Sequence, residues 1–423
     1  MPETYDIIIV GAGPAGSLAA KTAAEKGFKT VFLERGSRVG SKSVGGELLP
    51  LSVFEHFPWM MEGPLQRPIN RWSFNLYSNN DEKLLELGLA REKPYGYTVH
   101  RARWDLWVSK VAENSGAKLK TSTLVSRLLT DEKGFTVGVE TSKGEKIYGS
   151  VVIGADGVNS VVARLAGLRG RWKPEGLALC IKQTYRLDAR EISRRFSRSG
   201  KYEAVIVVCE EISRRGYGWV FPSMRDFCVG FGATLNSFEE PSPKTFSRLL
   251  ENPTVKEKTA GARLAQYSAH LIPLGGVQGK TYGEGVLLTG DAAGFPCPME
   301  GSGYETAALT GVLAAEVACE AISRGDVSAE ALAAYEEKWR NSWIFQDIEF
   351  GLKTQRLLLE DIGVGRFNRF AYGFLEALTK HGSYTDKGHL EALAEFLQNN
   401  SEILNVLIGS LGKLLGGEIL KEF

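Results

Sequence analysis

The sequence predicts an α/β fold built on a Rossmann-type dinucleotide-binding domain, and three observations predict it. An apolar strand over residues 7–10 runs directly into a glycine loop that holds Gly11, Gly13 and Gly16. The residues that follow this loop have the composition of a helix. The next apolar strand then ends at Glu34. Strand, glycine loop, helix and acidic residue in this order are typical of a dinucleotide site at the edge of a parallel sheet.

Each residue of this first motif has a physical task. The three glycines allow, in chain order, a tight turn, close approach of the backbone to a pyrophosphate, and close packing of helix on strand. The helix that Pro14 and Ala15 open points its first N–H groups at the phosphates, where the helix dipole favours negative charge. Glu34 is placed to accept hydrogen bonds from a ribose diol, and its charge repels a 2′-phosphate. The motif therefore predicts an adenine dinucleotide and disfavours NADP.

Two later motifs decide which dinucleotide is bound. Residues 154–160 and 290–303 each follow a buried strand, and they carry Asp156 and Asp291 respectively. Asp291 can bond a ribityl hydroxyl, and the glycine-rich tail behind it offers backbone donors to the N1/O2 edge of a flavin. Together with the first motif, this order of motifs predicts FAD. The further residues of the two motifs that we expect to contact the cofactor are Ala155, Gly157, Gly290, Gly301, Ser302 and Gly303.

The strand and helix patterns divide the chain into three regions. These are an FAD-binding domain of the glutathione-reductase-like type, an inserted α+β substrate domain rich in long β-like runs, and a helical C-terminus. The predicted boundaries are 1–78, 97–170 and 280–335 for the first, 79–96 and 171–279 for the second, and 336–423 for the third. Residues 388–415 form an amphipathic stretch, for which core packing is favoured over attachment to a membrane surface.

Composition excludes several classes of function. With 51 basic and 50 acidic residues the net charge is +1, which argues against a nucleic-acid partner. Residues 186–215 are locally rich in arginine and are interpreted as a solvated face in preference to a docking surface. The five cysteines are scattered, with no C-x-x-C pair. We therefore expect no metal centre, no iron–sulfur cluster and no disulfide framework, as in a reducing compartment.

The chain carries no recognisable targeting or spanning segment. Its first strand begins within a few residues of the N-terminus, which leaves no room for a signal peptide. No run reaches the roughly 18 apolar residues that a membrane span needs. A cytoplasmic protein is predicted, with peripheral contact at the inner face of the cell membrane as the alternative.

Several longer stretches resemble a known family. Residues 33–50, 97–107, 154–160, 251–276 and 282–295 are similar to the short form of the electron-transfer flavoprotein:quinone oxidoreductases. These belong to a flavoprotein superfamily that includes geranylgeranyl reductases and FAD-dependent hydroxylases. The resemblance implies that the chain accepts electrons from an electron-transfer flavoprotein and passes them to a quinone. It also implies cofactor contacts, with Arg101 on the FAD chain, the Val125 backbone at the adenine and residues 43–46 at the isoalloxazine. The additional set of cofactor residues is then Arg35, Ser43, Val44, Gly45, Gly46, Arg101 and Val125.

The chain also departs from that family. The long members carry a four-cysteine iron–sulfur module that is missing from this sequence, so we expect a separate ferredoxin-like subunit to supply it. The stretches 216–222 and 298–311 are closer to prenyl reductases. However, prenyl reductases commonly have a cysteine in the flavin loop, where this chain has serine, valine and two glycines.

The stretch 216–222 supplies candidates for a substrate cleft. Tyr217, Trp219 and Phe221 alternate and therefore share one strand face, which either lines such a cleft or is an ordinary core face. With Glu300 they are the substrate-cleft candidates. No catalytic residue is assigned, because the flavin carries the chemistry. Glu300 and His270 are the first polar groups to consider as proton carriers, although His270 is more typical of a structural histidine.

The leading prediction is electron transfer through FAD to a quinone, and two alternatives stay open. One is hydride transfer from reduced FAD to an isoprenoid double bond. The other is a non-catalytic electron-relay subunit in a larger complex. An aromatic hydroxylase is least favoured, because nothing in the sequence indicates an NADPH-handling loop.

Overall fold

The computed structural model describes residues 3–41, 45–77, 82–209, 212, 216–238, 240 and 242–356. It confirms the predicted fold class, because a largely parallel sheet covered by helices stands beside a second, largely antiparallel sheet. The predicted amphipathic stretch 388–415 lies outside the described residues, as do Ser43 and Val44.

The described part of the chain contains the following strands and helices. The strands are β1 (Thr4–Val10), β2 (Thr30–Leu33), β3 (Leu48–Pro50), β4 (Leu65–Ile69), β5 (Arg71–Tyr77), β6 (Lys83–Ala90), β7 (Gly96–Val99), β8 (Lys118–Lys120), β9 (Val125–Thr130), β10 (Thr136–Thr141), β11 (Lys146–Gly154), β12 (Leu177–Arg186), β13 (Ser197–Arg198), β14 (Lys201–Cys209), β15 (Gly216–Pro222), β16 (Asp226–Thr234), β17 (Arg263–Pro273), β18 (Tyr282–Gly283) and β19 (Val286–Leu288). The helices are α1 (Pro14–Glu25), α2 (Leu51–His56), α3 (Arg101–Asn114), α4 (Val161–Leu165), α5 (Ala189–Phe196), α6 (Ser242–Glu251), α7 (Pro253–Thr259), α8 (Tyr304–Arg324), α9 (Ala329–Leu332), α10 (Ala334–Arg340) and α11 (Trp343–Arg356).

The first sheet carries the three predicted motifs. Its strand order is β18-β19-β11-β1-β2-β8, and the strands from β19 to β8 pair in parallel. Ile7, Ile8 and Ile9 of β1 are fully buried, as expected for a parallel sheet with both faces covered. Strands β9 and β10 extend β11 as an antiparallel meander. Because β1, β11 and β19 run in the same direction, their carboxyl ends meet at one edge, and the three motifs begin there.

The second sheet has the order β17-β12-β16-β15-β14-β5-β6, and its neighbours are antiparallel except for the pair β14 and β5. One face packs on α5 and α6 through a large apolar cluster that includes Phe196, Phe227 and Phe246. The opposite face carries a smaller cluster with Trp219, Phe221 and Cys228. That second face is turned towards the motifs of the first sheet.

A small third sheet, β3-β7-β4, connects the two larger sheets. Strand β3 follows the loop that ends at Glu47, and β7 leads into α3, so this sheet places that loop beside Arg101. Strand β5 pairs with β14 over its full length and so belongs to the second sheet, whereas the sequence grouped residues up to 78 with the first domain. The pairing is long-range and parallel, and no local pattern signals it.

Helix α8 is, among the described residues, the one helix long and apolar enough to span a membrane. However, 61% of its most apolar stretch is buried inside the protein. It packs along α1, and its N-terminus directly follows the last motif. It therefore serves as a core helix of the α/β fold.

Candidate active site

The glycine loop adopts the backbone that its residues allow. Gly11 has a φ of +105° and donates its N–H to the carbonyl of Leu33 at 2.8 Å. A Cβ on Gly16 would lie 1.8 Å from the Gly11 carbonyl oxygen, so only glycine permits this approach of α1 to the loop. A Cβ on Gly13, in contrast, would meet no atom within 4 Å. The loop thus presents backbone to an open space at the start of α1.

The first turns of α1 and α8 are packed together beside this space. Pro14 is the first residue of α1, and Ala15 is buried behind it. A Cβ on Gly290 would lie 3.0 Å from the Ala15 Cβ, and one on Gly311 would lie 2.2 Å from the Ala15 carbonyl oxygen. Both helix N-termini therefore bring their positive dipole ends and first N–H groups to one region, which suits a pyrophosphate.

Glu34 lies at the end of β2, beside the glycine loop. One of its carboxylate oxygens accepts the N–H of Gly36 at 2.7 Å, which holds the half-buried side chain at the mouth of the loop. Its carbonyl accepts the N–H of Thr123 at 2.8 Å, and this bond brings the start of β9, at Val125, to the same side. Arg35 follows as an exposed residue. The structure thus gathers these predicted residues at the end of the site where an adenosine is expected.

Asp156, in the second motif, caps helix α4. Its carboxylate accepts the hydroxyl of Ser160 and the N–H groups of Val161, at 2.7 Å, and of the next residue, at 3.2 Å. Burial raises the pKa of Asp156, and these hydrogen bonds oppose that shift. The neighbouring Ala155 donates its N–H to β1, and Gly157 turns with a φ of +81° into open space. The aspartate therefore orders the turn whose backbone faces the site.

Asp291 and Arg101 face each other across the site. Burial raises the pKa of Asp291 to about 6, and the positive charge of Arg101 opposes that shift. Within the described residues no donor bonds to this carboxylate. Arg101 donates to both oxygens of Asp105 at 3.0 Å, and its guanidinium lies 5.1 Å from the ring centre of Tyr304. On its other side, a Cβ on Gly45 would lie 2.8 Å from a guanidinium nitrogen. Arg101 is thus fixed, while Asp291 keeps its oxygens free for a ligand.

The loop before α8 is folded on itself. Gly301 has a φ of +71° and donates its N–H to the carbonyl of Cys297 at 2.9 Å, while Cys297 donates to the carbonyl of Ser302 at 2.8 Å. The Gly301 N–H therefore already has a protein acceptor and is not left for a cofactor. The contribution of this glycine to the site is the turn that it allows in the loop. In the described part of the chain, the amides of Ser302 and Gly303 have no protein acceptor. These two groups and the first turn of α8 are the donors left for a cofactor.

Arg169 ties the second and third motifs together, and the sequence analysis missed it. Its guanidinium donates to the carbonyl of Ala292 at 3.1 Å and to the carbonyl of Val158 at 3.3 Å. Trp172 lies 4.1 Å from the guanidinium and donates its indole N–H to the same Val158 carbonyl at 2.9 Å. No local pattern marks Arg169, because its partners lie in other parts of the chain.

These residues fit FAD. The open space over Gly13, the two converging helix N-termini and the unpaired, enclosed carboxylate of Asp291 are the features that a dinucleotide with a ribityl chain requires. Glu34 would hold the ribose, the helix N-termini would hold the phosphates and Asp291 would hold the ribityl side. When bound there, FAD supplies the redox chemistry.

Tyr217, Trp219 and Phe221 share one face of β15. A Cβ on Gly230 of the next strand would lie 2.0 Å from the Trp219 ring, so this glycine makes the room in which the indole lies. A Cβ on Gly46 would lie 3.2 Å from the Phe221 ring and 3.7 Å from the Trp219 indole nitrogen. The aromatic face therefore lies directly against the loop that is expected to contact the isoalloxazine.

Glu300 links the aromatic face to the last motif. The hydroxyl of Tyr217 donates to the backbone carbonyl of Glu300. The Glu300 side chain is exposed to solvent, but crowding by neighbouring protein atoms, with Asp347 nearby, raises its pKa to about 7. The hydroxyl of Ser302, 3.2 Å away, opposes that shift. A carboxyl group that changes charge near neutral pH is suited to carry a proton.

His270 lies on β17, on the side of the site that holds the arginines. Desolvation, Arg101 and Arg35 together lower its pKa, so its imidazole is neutral at neutral pH. The structure thus places this second candidate proton carrier near two cations and keeps it uncharged.

The cysteines of the site are neutral thiols. Burial raises the pKa of Cys180 and of Cys228 to about 12, and the Cys228 thiol donates to the Gly46 carbonyl at 3.4 Å. Among the described residues, the cysteines form no disulfide. Over the described residues, no group of three or more His, Cys, Asp or Glu side chains is placed to hold a metal ion.

Comparison with known proteins agrees with the cofactor that the site fits. The model of the FAD binding domain family matches residues 4–342. Protein FixC of Bradyrhizobium diazoefficiens is 33% identical over 361 residues, which cover 82% of this chain and 83% of that protein. Digeranylgeranylglycerophospholipid reductase of Methanocaldococcus jannaschii is 31% identical over 357 residues, which cover 84% and 87%.

Among solved structures, a geranylgeranyl bacteriochlorophyll reductase-like protein of Thermoplasma acidophilum has the same fold. The two superpose with a TM-score of 0.80 at 22% identity, over 95% of this chain and all of that one. The family model and the relatives above 30% identity cover most of the chain, including every motif described above. The chain therefore belongs to the FAD binding domain family, and it is an FAD-dependent oxidoreductase of that flavoprotein superfamily.

Proposed function

We propose that this oxidoreductase passes electrons from an electron-transfer flavoprotein to a quinone. The resemblance of residues 33–50 and 251–276 to the short quinone oxidoreductases supports the proposal. The aromatic face of β15 supports a quinone as the electron acceptor.

The observation that carries the proposal is the indole N–H of Trp219. This atom is buried and, among the described residues, has no acceptor. A buried donor without a partner costs roughly 1–3 kcal/mol, so a ligand carbonyl that accepts from it is favoured. The Trp219 and Phe221 rings lie 6.4 Å apart, and Trp72 meets Phe221 edge-on at 6.0 Å. A quinone has both a flat ring to pack on such walls and a carbonyl to accept, whereas a prenyl chain has neither.

In this proposal the side chains position the acceptor and move protons. Reduction of a quinone to a quinol takes two electrons and two protons. Glu300, with a pKa of about 7 and a backbone link to Tyr217, is the proposed proton carrier. Two electrons and one of the protons would come from bound reduced FAD, and Glu300 would deliver the other proton.

The proposal includes two protein partners. An electron-transfer flavoprotein would be the donor, and a ferredoxin-like subunit would carry the iron–sulfur cluster that the long quinone oxidoreductases hold themselves. Arg194 and Arg195 of α5 are not assigned to either partner, because they pair with Glu191 at 2.8 and 3.3 Å. Peripheral membrane contact is part of the proposal, since quinones with isoprenoid tails reside in the bilayer. Co-elution of the purified chain with each candidate partner in gel filtration tests these contacts.

An anaerobic mixing experiment tests the acceptor. The FAD of the purified protein is reduced and then mixed with either a menaquinone analogue or a geranylgeranyl lipid, while flavin absorbance is followed. We expect rapid reoxidation by the quinone, with one quinol formed per FAD, and none by the lipid. Reoxidation by the lipid with loss of a double bond would overturn the proposal.

The variant Trp219→Phe sharpens this test, because it keeps an aromatic ring and removes the donor. Loss of one hydrogen bond worth about 1 kcal/mol predicts a roughly fivefold slower reaction with the quinone at unchanged FAD content. Trp343→Phe is the matched control, since Trp343 is 40% exposed on α11. Equal effects of the two substitutions would count against a quinone carbonyl at Trp219.

The alternative is a prenyl lipid reductase, and one comparison favours it. The archaeal relative at 31% identity is named for reduction of digeranylgeranylglycerophospholipid. In that case only the lipid arm of the mixing experiment reoxidises the flavin. A relay subunit, the further alternative, predicts that both small molecules fail and that a purified partner complex succeeds.

A further inference from the structure

Four ionisable side chains meet behind Gly46, and two of them, Lys182 and Asp226, lie outside the motifs and the family-like stretches found in the sequence. We call this set, which is Glu47, His100, Lys182 and Asp226, the loop-anchor cluster. The Lys182 ammonium lies 2.9 Å from one carboxylate oxygen of Glu47, and the other oxygen lies 4.0 Å from His100. His100 in turn lies 3.5 Å from Asp226. The side chains of Lys182 and Glu47 are 4% and 11% exposed, so this pair is the buried part of the cluster.

The backbone at Glu47 is held in a strained conformation. Its φ is +64°, a region that costs a residue with a side chain about 1–2 kcal/mol. Its carbonyl accepts the N–H of Val99 at 2.7 Å, and the carbonyl of Gly46 accepts the Cys228 thiol at 3.4 Å. The ion pair with Lys182 adds a third point of attachment. The end of the Gly45–Gly46 loop is therefore fixed from three sides.

Lys182 reaches this loop from the second sheet. On β12 it stands opposite Gly230, the glycine that makes room for Trp219. A buried ion pair is weak support for stability, because apolar residues of similar size often stabilise a core as well or better. The placement of a buried lysine beside the flavin loop therefore calls for a reason other than folding.

We propose that Lys182 and Glu47 are a positioning pair for the FAD, in which Glu47 fixes the loop at Gly45 and Gly46 and Lys182 balances its charge. Two-electron reduction of FAD with uptake of one proton adds one negative charge to the cofactor. Because Lys182 neutralises the charge of Glu47, the carboxylate does not repel the negative charge that reduction adds to the FAD. The proposal holds whichever acceptor the reduced FAD serves.

The charges of Glu47 and Lys182 both act on the Cys228 thiol, which lies beside the loop. Burial raises the pKa of this thiol, Glu47 raises it further and Lys182 lowers it. Loss of Lys182 alone would thus leave the Glu47 carboxylate acting without its counter-charge on atoms next to Gly46.

The test is a charge cycle on the holoprotein, read by the midpoint potential of the bound FAD under anaerobic dye equilibration. We expect Lys182→Met to weaken binding of reduced relative to oxidised FAD at least tenfold, which lowers a two-electron potential by about 30 mV. Glu47→Gln should shift the potential in the opposite direction. The double variant should return close to the wild-type value, and Lys182→Arg should retain it.

Lys258→Met is the matched control. Lys258 is also a buried lysine, 2.9 Å from the buried Glu203, but it lies on α7, which belongs to the other face of the second sheet. We expect this control to lower the melting temperature and leave the potential unchanged. An unchanged potential in both Lys182→Met and Glu47→Gln would overturn the proposal and leave the pair a structural one. If Lys182→Met does not fold, Glu47→Gln and Lys182→Arg decide the question alone.

Discussion

Two ionisable side chains, Asp291 and Arg101, face each other in the candidate FAD site. Asp291 has a raised pKa and no protein donor in the described chain, whereas Arg101 is held by Asp105 on both of its branches. Asp291 could be found from its motif, whereas Arg101 was expected only from the resemblance of residues 97–107 to a known family. Arg169 and Lys182 could not be found, because each acts on a partner that only the fold brings close.

The raised pKa of Asp291 predicts a pH-dependent stability of the FAD-free protein. A carboxyl group whose pKa rises from 3.8 to about 6 on folding binds protons more tightly in the folded chain. Folding is therefore less favourable as pH rises from about 4 to 6. Asp291→Asn should remove this dependence and raise the stability of the FAD-free protein at pH 7 by roughly 1–2 kcal/mol, since the group keeps partial contact with water.

The same substitution should weaken FAD binding, because the amide replaces a charged acceptor. Urea unfolding of the FAD-free protein at pH 4.5 and 7 measures the first effect, and titration with FAD measures the second. A variant that loses stability at pH 7 would contradict this role of Asp291.

Arg169 allows a second prediction at this scale. Arg169→Gln removes the donors to Ala292 and Val158, so the second and third motifs lose their shared support. We expect FAD affinity to fall roughly 5- to 30-fold, which corresponds to about 1–2 kcal/mol. Arg164→Gln, at an exposed position five residues earlier, should leave affinity unchanged. Equal FAD affinities of the two variants in a flavin fluorescence titration would show that the hydrogen bonds of Arg169 do not support the cofactor.

At the scale of elements, the site is an edge where strands end and helices begin. The sequence predicted this edge well, because strand, turn and helix signals are local and all three motifs carry them. It could not predict the pairing of β5 with β14, or the contact of Gly46 with the aromatic face of β15, since both depend on distant partners. The hydrogen bond from the Gly301 N–H to the Cys297 carbonyl could not be predicted either, because it depends on how the loop folds back.

The first motif allows a paired prediction about two glycines of one helix start. Gly16→Ala places a methyl group 1.8 Å from the Gly11 carbonyl, so we expect the fold to lose roughly 1–3 kcal/mol. Gly13→Ala meets open space, and its φ of −74° suits alanine. This variant should therefore keep its melting temperature without FAD but bind FAD at least tenfold more weakly. Normal FAD binding by Gly13→Ala would show that the space over this residue is not the phosphate site.

At the scale of the whole molecule, the chain passes between the two large sheets several times. Strand β5 of the second sheet lies between elements of the first, and the link from Tyr217 to Glu300 joins the second sheet to the last motif. The loop-anchor cluster adds a buried ion pair between the second sheet and the loop before β3. None of these connections follows from a local pattern, and together they make the cofactor site depend on both sheets.

This dependence predicts that damage to the far core of the second sheet releases the cofactor. Phe227 is fully buried between Tyr185 and Phe196, with ring centres 5.5 and 5.3 Å away. Phe227→Ala should cost about 3–5 kcal/mol, and FAD release, followed by flavin fluorescence, should move to lower temperature together with the loss of far-UV circular dichroism. Phe350→Ala, at a position 53% exposed on α11, should change neither. Should Phe227→Ala instead unfold in two steps, with FAD released at the wild-type temperature, the two sheets would be independent units and the site would belong to the first sheet alone.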